Sequence, residues 1–347
     1  MTRHLGGINH LAFLIPGSFR PESPAAGLEE TLRLFAYAEE LGYDSAWVRQ
    51  RHLESGVSSA AVFLAAASQR TSRIGLGSAV IQLDYESPFR LAEDLALADQ
   101  LSGGRIHVGV STGSAPFAGL LGDLLAAPAP GPRYAQAERL KQALSSDILA
   151  QEAVAGNAAG SQIPRLQPQS PGLLQRLWYG GGSTGSVTWA AKAGFNLLTG
   201  NIVSGETGDD FRTVQAGLIR QFRTIWQSAT TPGGAGIAKP RVALGRVILP
   251  TDSATPETAA RYREFAAARD ARTHQPAQNA RRTLYLPDLV GPVEVIAARL
   301  REDAALAEVS ELRLELPYAF PPEDYRQILK DALALRHLLA TPALAAN

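Results

Sequence analysis

The chain contains no cysteine among its 347 residues. Disulfide bridges, thiolate metal sites and a cysteine nucleophile are therefore excluded. An excess of charge of either sign is also missing, because Lys and Arg together number 33 and Asp and Glu together number 33. A strong basic field is what holds nucleic acid or an anionic membrane, so we expect neither as a partner.

Long hydrophobic runs and hydrolytic motifs are missing as well. The longest apolar stretch, Ala60–Ala67, is far shorter than the roughly 20 residues that span a bilayer. The start, Met1–Gly7, lacks the apolar core of a secretory signal. No H-E-x-x-H pair, clustered carboxylate triad or P-loop occurs, which disfavours metal hydrolysis and nucleotide hydrolysis. We expect a soluble, cytoplasmic protein without a bound metal.

Short β-rich runs alternate with longer helical runs along the whole chain. Parallel strands need crossover helices, and eight such units favour a closed barrel over an open sheet. The turn after the first strand, Pro16–Pro21, also lacks the G-x-G-x-x-G of a dinucleotide-binding sheet. The predicted strands are Ile8–Ile15, Ser45–Arg49, Ile74–Ile81, Ile106–Val110, Leu177–Tyr179, Asn196–Leu198, Val242–Ile248 and Leu312–Leu316.

These observations predict an α/β fold, a single-domain (β/α)8 TIM-type barrel over residues 1–347. Its functional groups should lie at the C-terminal ends of the strands. Gly42 is expected to end a helix over Gly27–Leu41. A helix after the fourth strand is expected to reach about Gln151, and the last helix to cover Glu323–Leu339. Gly, Ala, Pro and Gln content predicts loop insertions at about 114–132, 156–171 and 272–289.

The end of the second strand carries the first candidate site residues. His52 is either a proton donor and polar anchor or a surface histidine that bonds a neighbouring loop. Arg49 and Arg51 either hold an anionic group or form a solvated edge.

A glycine-rich turn after the fifth strand is the second candidate. Gly181 and Gly182 let a backbone approach an anion closely, and the helix that follows offers unpaired N–H groups. Ser183 and Ser186 add hydroxyl donors. The turn predicts a phosphate cradle, and the alternative is an ordinary turn with a Ser N-cap.

Small residues end the third and fourth strands. The run Gly75–Val80 would allow a flat ring to lie against the third strand, or it would simply line a tight barrel interior. Ser111 and Thr112 end the fourth strand, where Thr112 could reach a phosphate. Ser111 lacks the G-x-S-x-G elbow of a hydrolase nucleophile.

These pieces, taken in order, resemble the bacterial luciferase-like family of flavin-dependent oxidoreductases. The resemblance covers most of the chain outside the three insertions, and the long ordered series is what makes it specific. The matching segments are Phe35–Trp47, Arg51–His52, Ala60–Ser68, Arg73–Ile81, Ser87–Asp94, Asp99–Arg105, Trp178–Ser183, Val187–Phe195 and, more weakly, Val290–Ala297.

The resemblance implies a barrel that binds reduced FMN, or the deazaflavin F420 in some branches, at its C-terminal mouth. In the monooxygenases of the family, reduced FMN reacts with oxygen in a site shielded from water. The reduced flavin usually comes from a separate reductase in a transient encounter, and dimers are common. The resemblance therefore implies an enzyme that oxygenates a small organic substrate.

Residue by residue, the resemblance assigns roles at the mouth. Arg51 stands where the family often has the first histidine of Glu-His-His-Phe, and His52 matches the second. Arg51 stays charged at neutral pH and cannot shuttle protons, but it could stabilise an anionic flavin, peroxide or substrate. Ala79 with Val80 matches a position of a non-prolyl cis peptide beside the flavin ring. Further matching residues at the ring or phosphate are Ser111, Thr112, Gly182, Ser183 and Ser186.

Three rival functions stay open at this point. One is an F420-dependent oxidoreductase on the same barrel. Another is a flavin-binding protein without turnover, suggested by Arg51 in place of the first histidine. The last is a hydrolase or isomerase on an unrelated barrel, which predicts no flavin affinity.

Overall fold

Eight parallel strands close into a barrel at the centre of the molecule, as the alternation predicts. The computed structural model describes residues 7–113, 116–125, 131–145, 148–156, 160–229, 239–274, 282–318 and 320–340. The barrel strands are β1 (His10–Ile15), β2 (Ser45–Val48), β3 (Gly75–Gln82), β4 (Ile106–Ser111), β5 (Leu177–Gly180), β6 (Asn196–Thr199), β7 (Val242–Arg246) and β8 (Glu311–Glu315).

Each barrel strand pairs with its neighbours in sequence, and β1 closes the ring against β8. All eight C-terminal ends therefore meet at one mouth. Helices surround the ring. They are α1 (Pro24–Leu41), α2 (Ala60–Ser68), α3 (Pro88–Ser102), α4 (Ala118–Leu121), α5 (Ala135–Leu144), α6 (Thr184–Ala193), α7 (Phe211–Ala229), α8 (Pro256–Asp270), α9 (Val293–Arg301), α10 (Pro322–Ala332) and α11 (Leu335–Ala340).

Alternation along the strands sorts side chains into two cores. The outward-facing residues, such as Phe13 and Leu312, pack with the helices in one large apolar cluster. A second, smaller cluster fills the barrel itself. Its buried members are Ala12, Leu14, Trp47, Ala79, Trp178, Leu198 and Ala243. The two indoles meet edge to face at 5.5 Å and close the barrel below the mouth.

Local chemistry fixes several element ends. Gly42 ends α1 in the left-handed region at φ 88°, and its N–H donates to Ala38 and Glu39 carbonyls, as predicted for a stop. Asp99 on α3 accepts from the Ile106 N–H at 3.1 Å and from Arg176 Nη1 at 2.7 Å. This buried carboxylate ties α3 to the starts of β4 and β5.

Several predicted element bounds are wrong. The first helix begins at Pro24, three residues before the predicted Gly27. The helix after β4 ends at Leu144, and residues 148–151 are not helical. The predicted helix Glu323–Leu339 is two helices, because the chain turns after Ala332 so that Leu335 and Leu339 reach the core. The predicted seventh strand is also interrupted after Arg246, and Ile248–Pro250 pairs with Leu289–Gly291 outside the barrel.

The predicted insertions are described only in part. Residues 114–115, 126–130, 157–159 and 275–281 of these segments lie outside the described residues. Within the third segment, Thr283–Tyr285 pairs antiparallel with Ile202–Ser204 after β6. The predicted signal-free start at residues 1–6 also lies outside the described part. No helix in the described ranges is both long and apolar enough to cross a membrane.

Candidate active site

His52 lies in the loop after β2, at the mouth of the barrel. Its imidazole stacks on Tyr85, with 4.2 Å between ring centroids. Its Nε2 lies 3.0 Å from Gln50 Nε2 and 3.9 Å from Glu86 Oε1. Burial lowers the pKa of His52 below its ordinary value, so the ring is predominantly neutral at pH 7.

Gln50 determines which nitrogen of that ring carries the proton. Its Oε1 accepts the N–H of Ala60, the first residue of α2, at 2.8 Å. Its Nε2 then faces the other partners and donates to Glu86 Oε1 at 2.7 Å. The same NH₂ group can only donate to His52, so Nε2 of the neutral ring accepts and Nδ1 holds the proton. Burial raises the pKa of Glu86.

Arg51 leaves the same loop in a different direction. Its Nη2 donates to Tyr318 Oη at 3.0 Å, beyond the end of β8. Its Nε lies 3.9 Å from the half-exposed Glu54. The structure thus separates the two predicted catalytic residues: His52 contacts the segment after β3, and Arg51 contacts the segment after β8.

Three charged residues lie together on the β8 side of the mouth: Arg313, Glu315 and Arg49. The sequence alone leaves the role of Arg49 open and does not identify the other two. Arg313 is buried, with its guanidinium 5.5 Å from the Trp47 ring centre. Glu315 Oε1 lies 3.9 Å from Arg313 Nη2, and its Oε2 lies 3.4 Å from Arg49 Nη2. The sequence carried a signal for this group, since charge alternates with leucine in Glu311–Glu315 and the charged face must then point into the barrel.

The Ala79–Val80 peptide bond is cis, as the resemblance implies. It lies where the pairing of β3 with β4 shifts register between Ser78 and Ile81. Ala79 belongs to the barrel-interior cluster, and half-buried Val80 packs against that cluster. The two residues form a small apolar surface at the mouth, the surface expected for a flat ring.

The end of β4 lies beside this surface. Ser111 pairs with Gln82 of β3 and is half-buried. Thr112 is buried, and its hydroxyl is 2.8 Å from Tyr179 Oη. Burial raises the pKa of Tyr179, so the phenol keeps its proton at pH 7. The Thr112 hydroxyl predicted to reach a phosphate is therefore already engaged by β5.

The glycine-rich turn connects β5 to α6, and we call residues 181–186 the oxyanion turn. Ser183 is the N-cap, and its Oγ accepts the Ser186 N–H at 3.3 Å. Ser186 Oγ in turn accepts the Ser183 N–H at 3.0 Å, which completes a capping box. The structure shows the capped turn of the alternative interpretation. The phosphate cradle stays a prediction, since a capped helix N-terminus also offers N–H donors.

The turn packs closely against β6 and the segment after it. A Cβ added at Gly181 would lie 2.9 Å from Leu197 Cδ1, and one at Gly182 would lie 3.0 Å from the Ile202 carbonyl oxygen. Only glycine fits both positions without displacement. This close packing places the first amides of α6 at the rim of the barrel.

Glu206 is the residue at this turn that sequence reasoning missed entirely. Its Oε2 accepts the Thr184 N–H at 3.2 Å, and its Oε1 accepts from Ser204 Oγ at 2.9 Å. An oxyanion thus already interacts with the N-terminus of α6. No spacing or motif around Glu206 predicts this contact, because the contact depends on how the segment after β6 folds back onto α6.

Parallel barrels of this type belong to a class of enzymes that carry their site at the strand ends. Here the oxyanion turn after β5 and the small apolar surface on β3 lie at those ends. A family model for luciferase-like monooxygenases matches residues 10–225. The chain belongs to this family.

Curated relatives match shorter stretches. The 4-hydroxyprotoasukamycin monooxygenase of Streptomyces nodosus subsp. asukaensis is 38% identical over 107 residues, which are 30% of this chain and 29% of that protein. Limonene 1,2-monooxygenase of Rhodococcus erythropolis is 37% identical over 117 residues, 33% of this chain and 30% of that protein. The chain spans about a third of the length of these relatives.

Solved structures share the fold over nearly the whole chain. The monooxygenase RslO1 of Streptomyces bottropensis has a TM-score of 0.70 at 19% identity and covers 94% of this chain and 98% of its own. The oxygenating component of 3,6-diketocamphane monooxygenase of Pseudomonas putida was solved with FMN. It has a TM-score of 0.66 at 14% identity, and the match covers 96% of this chain and 99% of that one. The F420-dependent tetrahydromethanopterin reductase of Methanopyrus kandleri has a TM-score of 0.62 at 14% identity, and the match covers 95% of this chain and 99% of that one.

Proposed function

We propose that this enzyme is a flavin-dependent monooxygenase that uses reduced FMN and oxygen on a small organic substrate. The observation that carries the proposal is the oxyanion turn on β5, next to the apolar surface of Ala79 and Val80 on β3. One site can thereby take a phosphate at its rim and a flat ring at its centre. The FMN complex of the diketocamphane monooxygenase supports the same assignment.

The residues present fit an FMN phosphate. Ser183 and Ser186 would shape the turn through the capping box, in which Ser183 Oγ donates to Ser186 Oγ and Ser186 Oγ donates to the Ser183 carbonyl. The N–H groups at the first turn of α6 would be the donors to the phosphate. The Glu206 carboxylate accepts the Thr184 N–H at this turn, which supports the assignment of an oxyanion to the N-terminus of α6. Gly181 and Gly182 would form the turn, and Ser111 and Thr112 would lie between phosphate and ring. FMN, when bound in its reduced form, would supply the electrons that activate oxygen.

The chain's own residues would orient and shield the reactants. Trp47, Trp178 and the small residues above them fill the barrel and exclude water from below. His52 would offer its Nδ1 proton as a hydrogen-bond donor or acid, held in that tautomer by Gln50. Arg51 would contribute fixed positive charge on the β8 side of the mouth.

An F420-dependent oxidoreductase is the second candidate. It is favoured by the F420-dependent reductase of Methanopyrus kandleri, which shares the fold over 95% of this chain. F420 also carries a flat ring and a phosphate group, so the oxyanion turn and the β3 surface suit both cofactors. A direct comparison of affinities separates them.

The test is a binding titration followed by turnover. The purified chain is titrated with FMN, reduced FMN under argon and F420, with cofactor fluorescence as the readout. Tighter binding of FMN supports the proposal, tighter binding of F420 supports the alternative, and no affinity for any of the three contradicts both. Oxygen uptake is then measured with a flavin reductase, NADH and candidate substrates. Flavin binding without substrate-dependent uptake by any of them would favour a non-catalytic flavin-binding protein.

We further propose a transient flavin reductase partner, a cytoplasmic location where such reductases act, and a homodimer of single-domain subunits. The dimer is supported by exposed apolar side chains on adjacent helices. Val62 of α2 and Phe89, Leu97 and Leu101 of α3 are each about half exposed or more. We call these four residues the apolar face. Side chains of this size on two packed helices suit burial against a second copy.

A further inference from the structure

Arg49 and Arg313, which we call the arginine pair, lie on the side of the barrel away from the oxyanion turn. Arg49 follows β2 and Arg313 lies in β8, and β1 alone separates those two strands in the ring. The oxyanion turn follows β5, which lies opposite β1 in the eight-stranded ring. A phosphate bound at the turn therefore cannot be the partner of the arginine pair.

Buried N–H groups of the arginine pair have no acceptor within the described part of the chain. They are Nε and Nη1 of Arg313 and Nε of Arg49. The Arg313 side chain is only 5% exposed, so water reaches it poorly. Buried donors of this kind are strongly disfavoured unless something accepts from them.

One carboxylate is shared between the two guanidinium groups. Glu315 lies 3.4 Å from Arg49 and 3.9 Å from Arg313, and neither separation is that of a good bidentate pair. Two positive charges against one negative charge leave an excess of one. Burial lowers the pKa of Arg313 to about 10, so Arg313 remains charged at pH 7 and the excess persists.

The pair lies beside residues that are partly exposed to solvent. Arg49 lies 5.7 Å from the ring centre of Tyr318, which is 41% exposed. Arg51, partly exposed, holds the hydroxyl of the same tyrosine. Positive charge thus runs from the rim at Arg51 to the interior at Arg313, an arrangement that attracts an anion inward.

We propose that the substrate carries one singly charged oxyanion, a carboxylate or a sulfonate, and that Arg49 and Arg313 bind it. The inference rests on the proposed function and names the substrate class of that site. A single negative charge balances the excess of the pair, and its oxygens would accept from the three N–H groups that lack acceptors. A neutral substrate would leave those donors unmatched, and a phosphate dianion would exceed the available charge.

The test compares probes that differ in charge and little else. Benzoate, benzenesulfonate, phenyl phosphate and neutral benzamide are titrated into the flavin-free and FMN-loaded chain, with ligand-observed NMR as the readout. We expect benzoate or benzenesulfonate to bind at least about tenfold more tightly than benzamide, because charge-assisted hydrogen bonds in a buried site exceed neutral ones by that factor. Phenyl phosphate should bind more weakly than the preferred monoanion.

Variants then assign the binding to the pair. Arg49→Gln should weaken the anion at least about tenfold and leave benzamide unchanged, whereas Arg49→Lys should restore part of the loss. Arg33→Gln, an exposed arginine on α1, is the matched control and should change nothing. Arg313→Gln should act like Arg49→Gln, and if it fails to unfold cooperatively, the Arg49 variants decide alone.

Several outcomes would overturn the inference. Equal binding of benzoate, benzenesulfonate and benzamide would do so, as would unchanged anion binding in Arg49→Gln. A shifted reduction potential of bound FMN in Arg49→Gln, with anion binding intact, would assign the pair to the flavin ring instead. Absence of FMN binding contradicts the proposed function separately, because the anion titration is also performed on the flavin-free chain.

Discussion

Glu206 places a negative charge where the proposed cofactor would bring a second one. Its carboxylate accepts the first N–H of α6, while the side chain as a whole is exposed. A phosphate that binds this turn must displace Glu206 or share the N-terminus with it. Glu206 should therefore weaken FMN binding, which would suit the proposed transient exchange of flavin with a reductase.

Replacement of Glu206 tests this competition directly. We expect Glu206→Gln to tighten FMN binding by about 1 kcal/mol, roughly fivefold, since an exposed charge is largely screened. Riboflavin, which lacks the phosphate, should bind equally to both proteins. The measurement is fluorescence titration of each flavin, with the distant exposed Glu264→Gln on α8 as the control. Equal tightening for riboflavin, or none for FMN, would contradict the competition.

Side chains were predictable where strand position constrains them. The position of His52 and Arg51 follows from their place after β2, although the sequence could not reveal that they contact different segments, one after β3 and the other after β8. Gln50 was overlooked because its role depends on accepting the Ala60 N–H from α2. Contacts between segments far apart in sequence leave no local pattern, and Glu206 is the clearest example.

At the scale of elements, the indole of Trp47 restricts which residue β3 can carry beside it. Gly77 in β3 faces Trp47 in β2, and a Cβ at this position would overlap the indole ring. The buried indole is fixed between His107 and Trp178 and has little freedom to move. The glycine is therefore required for β2 and β3 to pair at this register.

Addition of one methyl group should show this constraint. We expect Gly77→Ala to lower the free energy of unfolding by about 3 kcal/mol, the upper end for overpacked cores. The matched control is Gly217→Ala in α7, where nothing lies within 4 Å of the added Cβ and Ala should stabilise the helix by up to about 1 kcal/mol. Denaturant unfolding measures both, and similar values for the two variants would refute the packing argument.

The apolar face on α2 and α3 carries the prediction for the proposed dimer. Leu97→Glu would place a charge in the contact and should weaken association at least about a hundredfold, since a buried unpaired charge is strongly disfavoured. Leu124→Glu, at a more exposed leucine outside the apolar face, should leave the dimer intact. Sedimentation equilibrium distinguishes these results, and a monomeric wild-type chain would contradict the dimer itself.

The elements were more predictable than their ends. All eight strands and most helices follow from period and composition, because a buried parallel strand needs a short apolar run and its crossover needs an amphipathic helix. The break after Ala332 was not predictable, since neither Gly nor Pro marks it. It arises because Leu335 and Leu339 must reach the core from a different direction.

At the scale of the molecule, the closed ring buries histidines that cannot take up a proton freely. His107 of β4 lies inside the barrel, and its Nδ1 accepts from Trp178 Nε1 at 3.2 Å. Burial, with a smaller effect of Arg241, lowers the pKa of His107 well below 6.5. Burial also lowers the pKa values of His10 and His52.

This burial predicts the direction in which stability changes with pH. The unfolded chain binds a proton at His107 near pH 6.5 and the folded chain does not, so the free energy of unfolding falls as the pH falls below 6.5 and recovers above it. The loss from His107 alone should approach about 2 kcal/mol at pH 5. Denaturant unfolding of wild type and His107→Asn between pH 7 and 5 measures it.

The test is the difference between wild type and His107→Asn in how the free energy of unfolding changes with pH. Raised pKa values of Glu86 and Asp288 act in the opposite direction in this range, and they are common to both proteins. The variant should therefore lose less stability than wild type on acidification. Parallel pH profiles would contradict a neutral, buried His107.

The side chain of Gln50 connects the His52 imidazole to the start of α2. One amide group holds the imidazole of His52 at one end and the first N–H of α2 at the other. Val62, two residues into that helix, belongs to the apolar face. In the dimer proposed above, a second subunit would contact Val62 in the helical turn whose first N–H is bonded to Gln50. A displacement of that turn by the contact would therefore also change the orientation of the His52 imidazole.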